Sequence, residues 1–173
     1  MPSPALSHLI HTVAVLVLFL VFLASSQNIV VKARVDLETA NVEQLLDLTV
    51  SKVIQAKSLL LKVKGNNTLV VLEIYSPLES QRYFYNVELE GTDEGVKVKV
   101  SSLNYNIVKE SDAIPGVELP DDDTFNNLKN NILLNAGIYV SDGKKGYTGR
   151  GKMVIWAIEY DNKTYVGLGW VSK

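Results

Sequence analysis

Apolar and polar positions divide this chain into two parts with different patterns. Residues 13–24 are twelve consecutive apolar residues, and no charged side chain precedes Lys32. After Lys32, apolar positions alternate with charged ones and are interrupted by turn residues. A long uncharged run is typical of a targeting segment or a membrane span, whereas interrupted alternation is typical of a folded domain. The sequence therefore predicts one apolar N-terminal helix followed by a domain.

The apolar run is short for a membrane span. Twelve helical residues extend roughly 18 Å, and adding residues 9–12 gives roughly 24 Å, less than the ~30 Å hydrocarbon core of a bilayer. Residues 24–26 have small side chains, as signal cleavage before Gln27 requires. We therefore interpret residues 1–26 as a secretory signal peptide and residues 27–173 as a single extracellular domain.

A permanent membrane anchor over residues 9–31 is the alternative interpretation. The first positive charges, Lys32 and Arg34, follow this segment and none precedes it. By the positive-inside rule, an uncleaved segment leaves the domain on the cytoplasmic side. Two N-x-Thr sequons, at Asn66 and Asn162, fall in predicted turns and favour export. The predicted localisation is therefore secreted or cell-surface, with a membrane-anchored form as the alternative.

Periodicity after the apolar run predicts two helices. Residues 29–35 alternate as a strand, and Asp36 or Thr39 can then cap a helix of roughly 17 to 20 residues. The predicted core-facing stripe of this helix recurs every three or four positions and consists of Val42, Leu45, Leu46, Thr49, Val53 and Ala56. A second helix is expected to begin at the aspartates of residues 121–123 and to end at Gly137.

Period-two alternation predicts a sheet built from three hairpins, which cover residues 59–74, 83–100 and 153–171. In the second hairpin, one register sets opposite charges across the strands, with Glu88 facing Lys99 and Glu90 facing Lys97. Together with the strand at residues 29–35, these elements predict an α+β fold. Its sheet is mostly antiparallel, and both helices lie on one face.

The third hairpin is apolar on both faces, which predicts a central position in the sheet. Trp156 is assigned to one face with the larger apolar residues. The other face is expected to set small and medium side chains opposite glycines, namely Ile155 opposite Gly169 and Ala157 opposite Gly167. Such a shallow strip would allow another backbone to approach closely.

The side chains that the chain lacks exclude several chemistries. The sequence has no cysteine, and its two histidines, His8 and His11, precede the apolar run. A mature chain beginning at Gln27 would therefore have no thiol and no imidazole, which excludes His-dependent triads, Cys nucleophiles and the usual zinc and haem sites. We predict that the protein is not an enzyme and has no cofactor. A small hydrolase that depends on carboxylates or an oxygen-bound metal is an alternative.

The overall charge gives no reason to expect a nucleic acid partner. With 17 basic and 19 acidic residues, the formal net charge is −2. The loop at residues 141–152 is nevertheless locally basic. Its candidate contacts for a polyanion such as an acidic glycan, or for a partner protein, are Lys144, Lys145, Arg150 and Lys152. A solvated hairpin loop is the alternative explanation of the same residues.

These features favour a non-catalytic exported or cell-surface protein with a structural or interaction role. An alternative is a subunit of an extracellular filament or surface layer that self-associates by adding the strand at residues 29–35 to a neighbour's sheet. In outline, a short polar start, an apolar helix and a β-rich remainder resemble archaeal type IV pilins over roughly the first thirty residues. Residues 1–5 lack the basic residue expected before a pilin cleavage site, so no family feature is carried over.

Overall fold

A single long helix forms the N-terminal part of the chain. The structure is a computed structural model that describes residues 4–63, 68–74, 85–147 and 152–171. Helix α1 runs from Pro4 to Val63 over 60 residues. Residues 5–64 contain neither glycine nor proline, so no residue type that ends helices lies within it. Proline suits the first turn of a helix, where its missing N–H has no partner to lose.

The continuous helix corrects two strand predictions. Residues 29–35 lie in α1 and not in an N-terminal strand, and residues 58–63 lie in the same helix instead of starting a hairpin. A seven-residue alternation of β-branched and basic residues fits either period, and propagation from the neighbouring helical turns favours the helix. The first predicted hairpin is therefore wrong. Only its second half is a strand, β1 (Leu69–Glu73).

The chain divides into two compact units, Met1–Glu38 and Thr39–Lys173. In the second unit, α1 has one buried face that confirms the predicted stripe. Each member is at most 9 % exposed, and the members are Val42, Leu45, Leu46, Thr49, Val53 and Ala56. Leu60 continues this face by one more turn. The buried hydroxyl of Thr49 donates to the carbonyl oxygen of Leu45 at 2.7 Å, which satisfies it within the helix.

The other strands are β2 (Tyr85–Thr92), β3 (Gly95–Ser102), β4 (Val108–Glu110), β5 (Ile138–Tyr139), β6 (Lys145–Tyr147), β7 (Lys152–Tyr160) and β8 (Lys163–Val171). Within the described ranges, the strands form two four-stranded sheets instead of the single expected sheet. The strand orders are β1-β7-β8-β5 and β4-β3-β2-β6, and every strand pair is antiparallel. The α+β class is therefore confirmed.

Two of the predicted hairpins are present. In β2 and β3, Glu88 faces Lys99 and Glu90 faces Lys97, which confirms the predicted register. Strands β7 and β8 pair along their whole length and occupy the centre of their sheet, as their apolar faces indicate. Their two-residue turn, Asp161 and Asn162, has positive φ at both positions, which matches the right-handed twist of a hairpin.

Two apolar clusters cover the two faces of the β7–β8 hairpin. One cluster contains Met153, Ile155 and Ala157 together with the buried stripe of α1. The other contains Val154, Trp156 and Ile158 together with the buried residues of α2 (Asp122–Leu128). A π-helical segment, Lys129–Leu133, continues α2. The two helices thus belong to clusters on different faces of this hairpin, which differs from the expected arrangement on one face.

The predicted pairing of the two strand glycines is wrong. Gly167 faces Trp156 and Gly169 faces Val154, whereas Ile155 faces Leu168. The Trp156 ring occupies the space that a Cβ at Gly167 would fill. The backbone oxygen of Gly143 also lies close to Gly167 and accepts a hydrogen bond from the N–H of Leu168 at 2.7 Å. The glycine therefore makes room both for a side chain of the same sheet and for another stretch of backbone.

Candidate functional site

Two of the candidate polyanion contacts are engaged in ion pairs. The Nζ atom of Lys145 lies 3.1 Å from an Oε1 atom of Glu88, and that of Lys152 lies 3.2 Å from Oε1 of Glu73. Both pairs are at the surface, where solvent screens them. The paired carboxylates reduce the positive charge that these two lysines offer to a polyanion.

Lys144 is the candidate that remains open to a ligand. Its side chain is exposed and has no ion pair within the described part of the chain, whereas Arg150 lies outside the described residues. The loop conformation is set by Asp142, whose Oδ1 accepts hydrogen bonds from the backbone N–H groups of Lys144 and Lys145 at 2.9 and 3.0 Å. An Asx turn of this kind fixes the direction of the loop.

Lys144 lines a charged cavity of about 570 Å³ at the ends of β2 and β3. The ionisable side chains around this cavity are Glu88, Glu90, Lys99, Asp121 and Lys144. Three carboxylates and two ammonium groups thus share one concave surface. The sequence pattern did not predict this cavity, because its residues come from four separate parts of the chain.

The pKa shifts around the charged cavity come from a helix cap and from a structural ion pair. Asp121 is the N-cap of α2, and its Oδ1 accepts from the backbone N–H of Thr124 at 2.8 Å. This hydrogen bond lowers the pKa of Asp121. The ion pair of Lys99 with Glu110, at 2.8 Å, raises the pKa of Lys99 and lowers that of Glu110. A general acid requires a raised carboxyl pKa, so Asp121 and Glu110 are poorly suited to that role.

The aspartates at residues 121–123 serve as a helix cap in this structure. Their negative charge lies in the first turn of α2, where it interacts favourably with the helix dipole. Within the described ranges, no group of three or more His, Cys, Asp or Glu side chains is placed to hold a metal ion.

The two sequons have different positions relative to the described structure. Asn162 is exposed in the β7–β8 turn with φ of 59°. An exposed turn can accommodate a glycan without disturbing the sheet. Asn66 lies outside the described residues.

A second concave surface of about 650 Å³, here called the α1 groove, lies between α1 and residues 110–115. Its apolar floor includes Leu46, Val50, Ile54 and Ile114. Leu46 and Ile114 are at most 9 % exposed, whereas Ile54 is 50 % exposed and is the member of this floor that is most open to solvent. It is a large apolar side chain left uncovered on the folded unit.

At one end of the α1 groove, Lys57 of α1 contacts the loop that contains Pro115. Its Nζ donates a hydrogen bond to the carbonyl oxygen of Pro115 at 2.5 Å. The rim is acidic, since Asp47 and Asp112 are exposed and neither has an ion-pair partner in the described part of the chain. The groove therefore presents apolar surface beside two unpaired carboxylates, with the ammonium group of Lys57 at one end.

The sequence contains a signal for this groove that the single-stripe interpretation overlooked. A second set of positions in α1 also recurs every three or four residues, and it comprises Asp47, Val50, Ile54, Lys57 and Leu61. Residues at this spacing share one helix face. The face is mixed in polarity, so it does not resemble a core stripe.

The first part of α1 exposes nearly all of its apolar side chains. The large apolar residues from Leu9 to Val31 are between 40 % and 71 % exposed. Within the described residues, α1 is long and apolar enough to cross a membrane, a criterion that a signal sequence also meets. Comparison with protein-family models, curated proteins and solved structures finds no match. Function is therefore inferred from the residues and their geometry.

Proposed function

We propose that the protein is a non-catalytic exported or cell-surface protein with a structural or interaction role. The observation that carries this proposal is the exposed apolar surface of α1 from Leu9 to Val31. A continuous apolar surface of this extent is unfavourable in water. It must be removed with a signal peptide, inserted into lipid, or covered by another protein.

Cleavage before Gln27 is the preferred route, with residues 1–26 as the signal peptide. The small side chains at residues 24–26 support it, and so does the exposed turn position of Asn162. The membrane anchor is the alternative, because the uncharged helical residues 9–31 extend roughly 34 Å and could cross a ~30 Å hydrocarbon core.

N-terminal sequencing and intact-mass measurement of the native protein test this proposal. The expected mature chain begins at Gln27 and carries additional glycan mass that Asn162→Gln reduces. A matched control is Ser26→Phe, which removes the small residue at the cleavage position and is expected to retain the chain in the membrane fraction. A native chain that begins at Met1 contradicts the signal-peptide proposal and supports the anchor.

A subunit of an extracellular filament or surface layer is the second candidate function. Its original route, strand addition by residues 29–35, has no basis because these residues are helical. The helix favours a different route, since cleavage before Gln27 would leave Ile29, Val30 and Val31 exposed at the start of the mature chain. A helix end with exposed apolar side chains can bind a groove on another protein. Sedimentation of the native protein across concentrations tests this candidate, and a concentration-independent monomer contradicts it.

A carboxylate-dependent hydrolase is a third candidate, favoured only by the three carboxylates in the charged cavity. Glycoside hydrolysis requires one carboxyl with a raised pKa, which Asp121 does not provide. We therefore expect the parent chain, Glu88→Gln and Glu90→Gln all to break down a panel of polysaccharides only at the background rate. Turnover by the parent chain that either substitution abolishes would contradict the non-catalytic proposal.

A further inference from the structure

We propose that the α1 groove of one copy binds residues 29–34 of α1 from a second copy. This inference rests on the proposed function, because cleavage before Gln27 makes these residues the start of the mature chain. It gives the interaction role a partner, which is another molecule of the same protein, and a site on each side of the contact.

The apolar surfaces of the two sides are compatible. Ile29 and Val30 are 69 % and 51 % exposed and lie about 100° apart around the helix, so both can face one groove, whereas Val31 lies on the opposite side from Ile29. The groove exposes Ile54 on its apolar floor, beside the half-buried Val50. A helix that lays an apolar face into such a groove removes both surfaces from water.

The charges of the two sides are opposite. Lys32 and Arg34 are exposed and have no ion-pair partner in the described residues. Ile29 lies one turn before Lys32, and Val30 one turn before Arg34, so each cation shares a helix face with an apolar side chain. The groove offers the complementary pattern, an apolar floor beside the unpaired carboxylates of Asp47 and Asp112. Complementary charges at the edge of an apolar contact select the partner and set its orientation.

The contact joins two different surfaces, so it is head-to-tail. A dimer with two-fold symmetry uses the same surface twice, whereas a contact between unlike surfaces leaves one of each unfilled. Repetition of the contact therefore produces a closed ring or an open filament. Helix docking thus replaces strand addition as the route to assembly.

Engineered cysteines test the contact directly, because the chain has no cysteine of its own. Full-length Arg34→Cys and Asp112→Cys are expressed together and oxidised. We expect mixed disulfide dimers at several times the yield obtained when Arg34→Cys is paired with Asn130→Cys, an exposed position on the π-helical segment. Equal yields from the two pairs would overturn the proposal.

A charge exchange tests the same contact without cross-linking. Asp47→Lys with Asp112→Lys, or Lys32→Glu with Arg34→Glu, is expected to raise the concentration needed for assembly by roughly tenfold or more. A mixture of the two double variants pairs opposite charges again, so it is expected to regain assembly. All four side chains are exposed, so none of these exchanges is expected to disturb the fold. An unchanged circular dichroism spectrum verifies this for each variant. Failure of the mixture to assemble contradicts the proposal. Assembly that occurs only when a different protein is present contradicts it as well.

Mass spectrometry of the cross-linked product separates this inference from the proposed function. A cross-linked chain that begins at Gln27 supports both. A cross-linked chain that begins at Met1 refutes the cleavage and leaves the groove contact in place. A chain that begins at Gln27 and shows no preferred cross-link refutes the groove contact alone.

Discussion

Trp156 donates a hydrogen bond from its indole Nε1 to the carbonyl oxygen of Leu168 on the neighbouring strand, at 3.2 Å. Both residues are fully buried. Gly167, the residue before Leu168, is the register partner of Trp156, and its missing side chain leaves the space that the Trp156 ring fills. This arrangement accounts for a glycine in the middle of a central strand, where glycine is otherwise unfavourable.

Gly167→Ala is expected to lower the free energy of unfolding by about 1–3 kcal/mol or more, since the new Cβ would overlap the Trp156 ring. Gly91→Ala is the matched control. A Cβ at Gly91 would meet its nearest neighbour, Leu119, at an ordinary 3.6 Å, so a small effect is expected. Urea unfolding of both variants measures the difference, and equal losses would contradict the packing described for Trp156.

Two leucines of α1 provide a matched test of its buried face. Leu45 is 3 % exposed and Leu61 is 64 % exposed. Leu45→Ala is expected to cost about 2–5 kcal/mol through lost burial and a cavity, whereas Leu61→Ala is expected to change stability by about 0.5 kcal/mol or less. Chemical denaturation of the two variants checks the expectation. A large cost at Leu61 would show that another surface covers this part of the helix.

Acid is expected to weaken the cap of α2. The backbone N–H of Thr124 holds the pKa of Asp121 below its ordinary value. The folded pKa is thus lower than the unfolded one, so the stabilisation is present above the unfolded pKa and is lost as pH falls through the folded value. Asp121→Asn keeps a cap acceptor without a titrating charge. Its melting temperature is expected to fall less than that of the parent between roughly pH 4 and pH 2.

A direct titration of Asp121 by NMR is the control for this expectation. The carboxyl carbon is expected to titrate at a lower pH than that of an exposed aspartate without a cap bond. Identical acid dependence in the parent and in Asp121→Asn would contradict the role of this carboxylate.

Lys144 is expected to contribute more than other exposed lysines to binding of an acidic glycan. Lys144→Glu should lower the salt concentration at which the protein elutes from a heparin column, because this side chain is an exposed cation of the basic loop. Lys62→Glu makes the same change of charge at an exposed position near the end of α1. Equal shifts for the two variants would indicate an effect of net charge without a site.

Long-range pairing was predictable where side-chain chemistry marks it. The alternation of Glu88 and Glu90 with Lys97 and Lys99 defines the β2–β3 register, since a shift by one residue would bury charge. The buried stripe of α1 was predictable as well, because its spacing of three and four residues fits one face of a helix. The length of α1 was also available from the sequence, in the absence of glycine and proline between Pro4 and Gly65. The alternation at residues 29–35 predicted a strand there, so the predicted helix began too late.

The concave surfaces were not predictable in the same way. The α1 groove depends on residues 110–115 reaching a helix that ends at Val63, and no local period encodes that approach. The bond from Lys57 to the main-chain oxygen of Pro115 leaves no side-chain pair to detect. The ion pair of Lys109 with Glu43 of α1, at 2.7 Å, joins residues too far apart in the chain for a local pattern to mark. The charged cavity has the same origin, because Asp121 and Lys144 lie on separate loops.

The hydrogen bond between Lys57 and Pro115 makes these two positions unequally tolerant of mutation. Its acceptor is a carbonyl group that all amino acids supply, so exchange of the side chain at position 115 preserves the tie wherever the backbone path is kept. Its donor is one ammonium group, and most exchanges at position 57 remove it. Position 57 is therefore expected to tolerate fewer exchanges than position 115 if this contact is to be kept. In a set of diverging descendants, retention of a long cationic residue at position 57 would identify those that keep this contact.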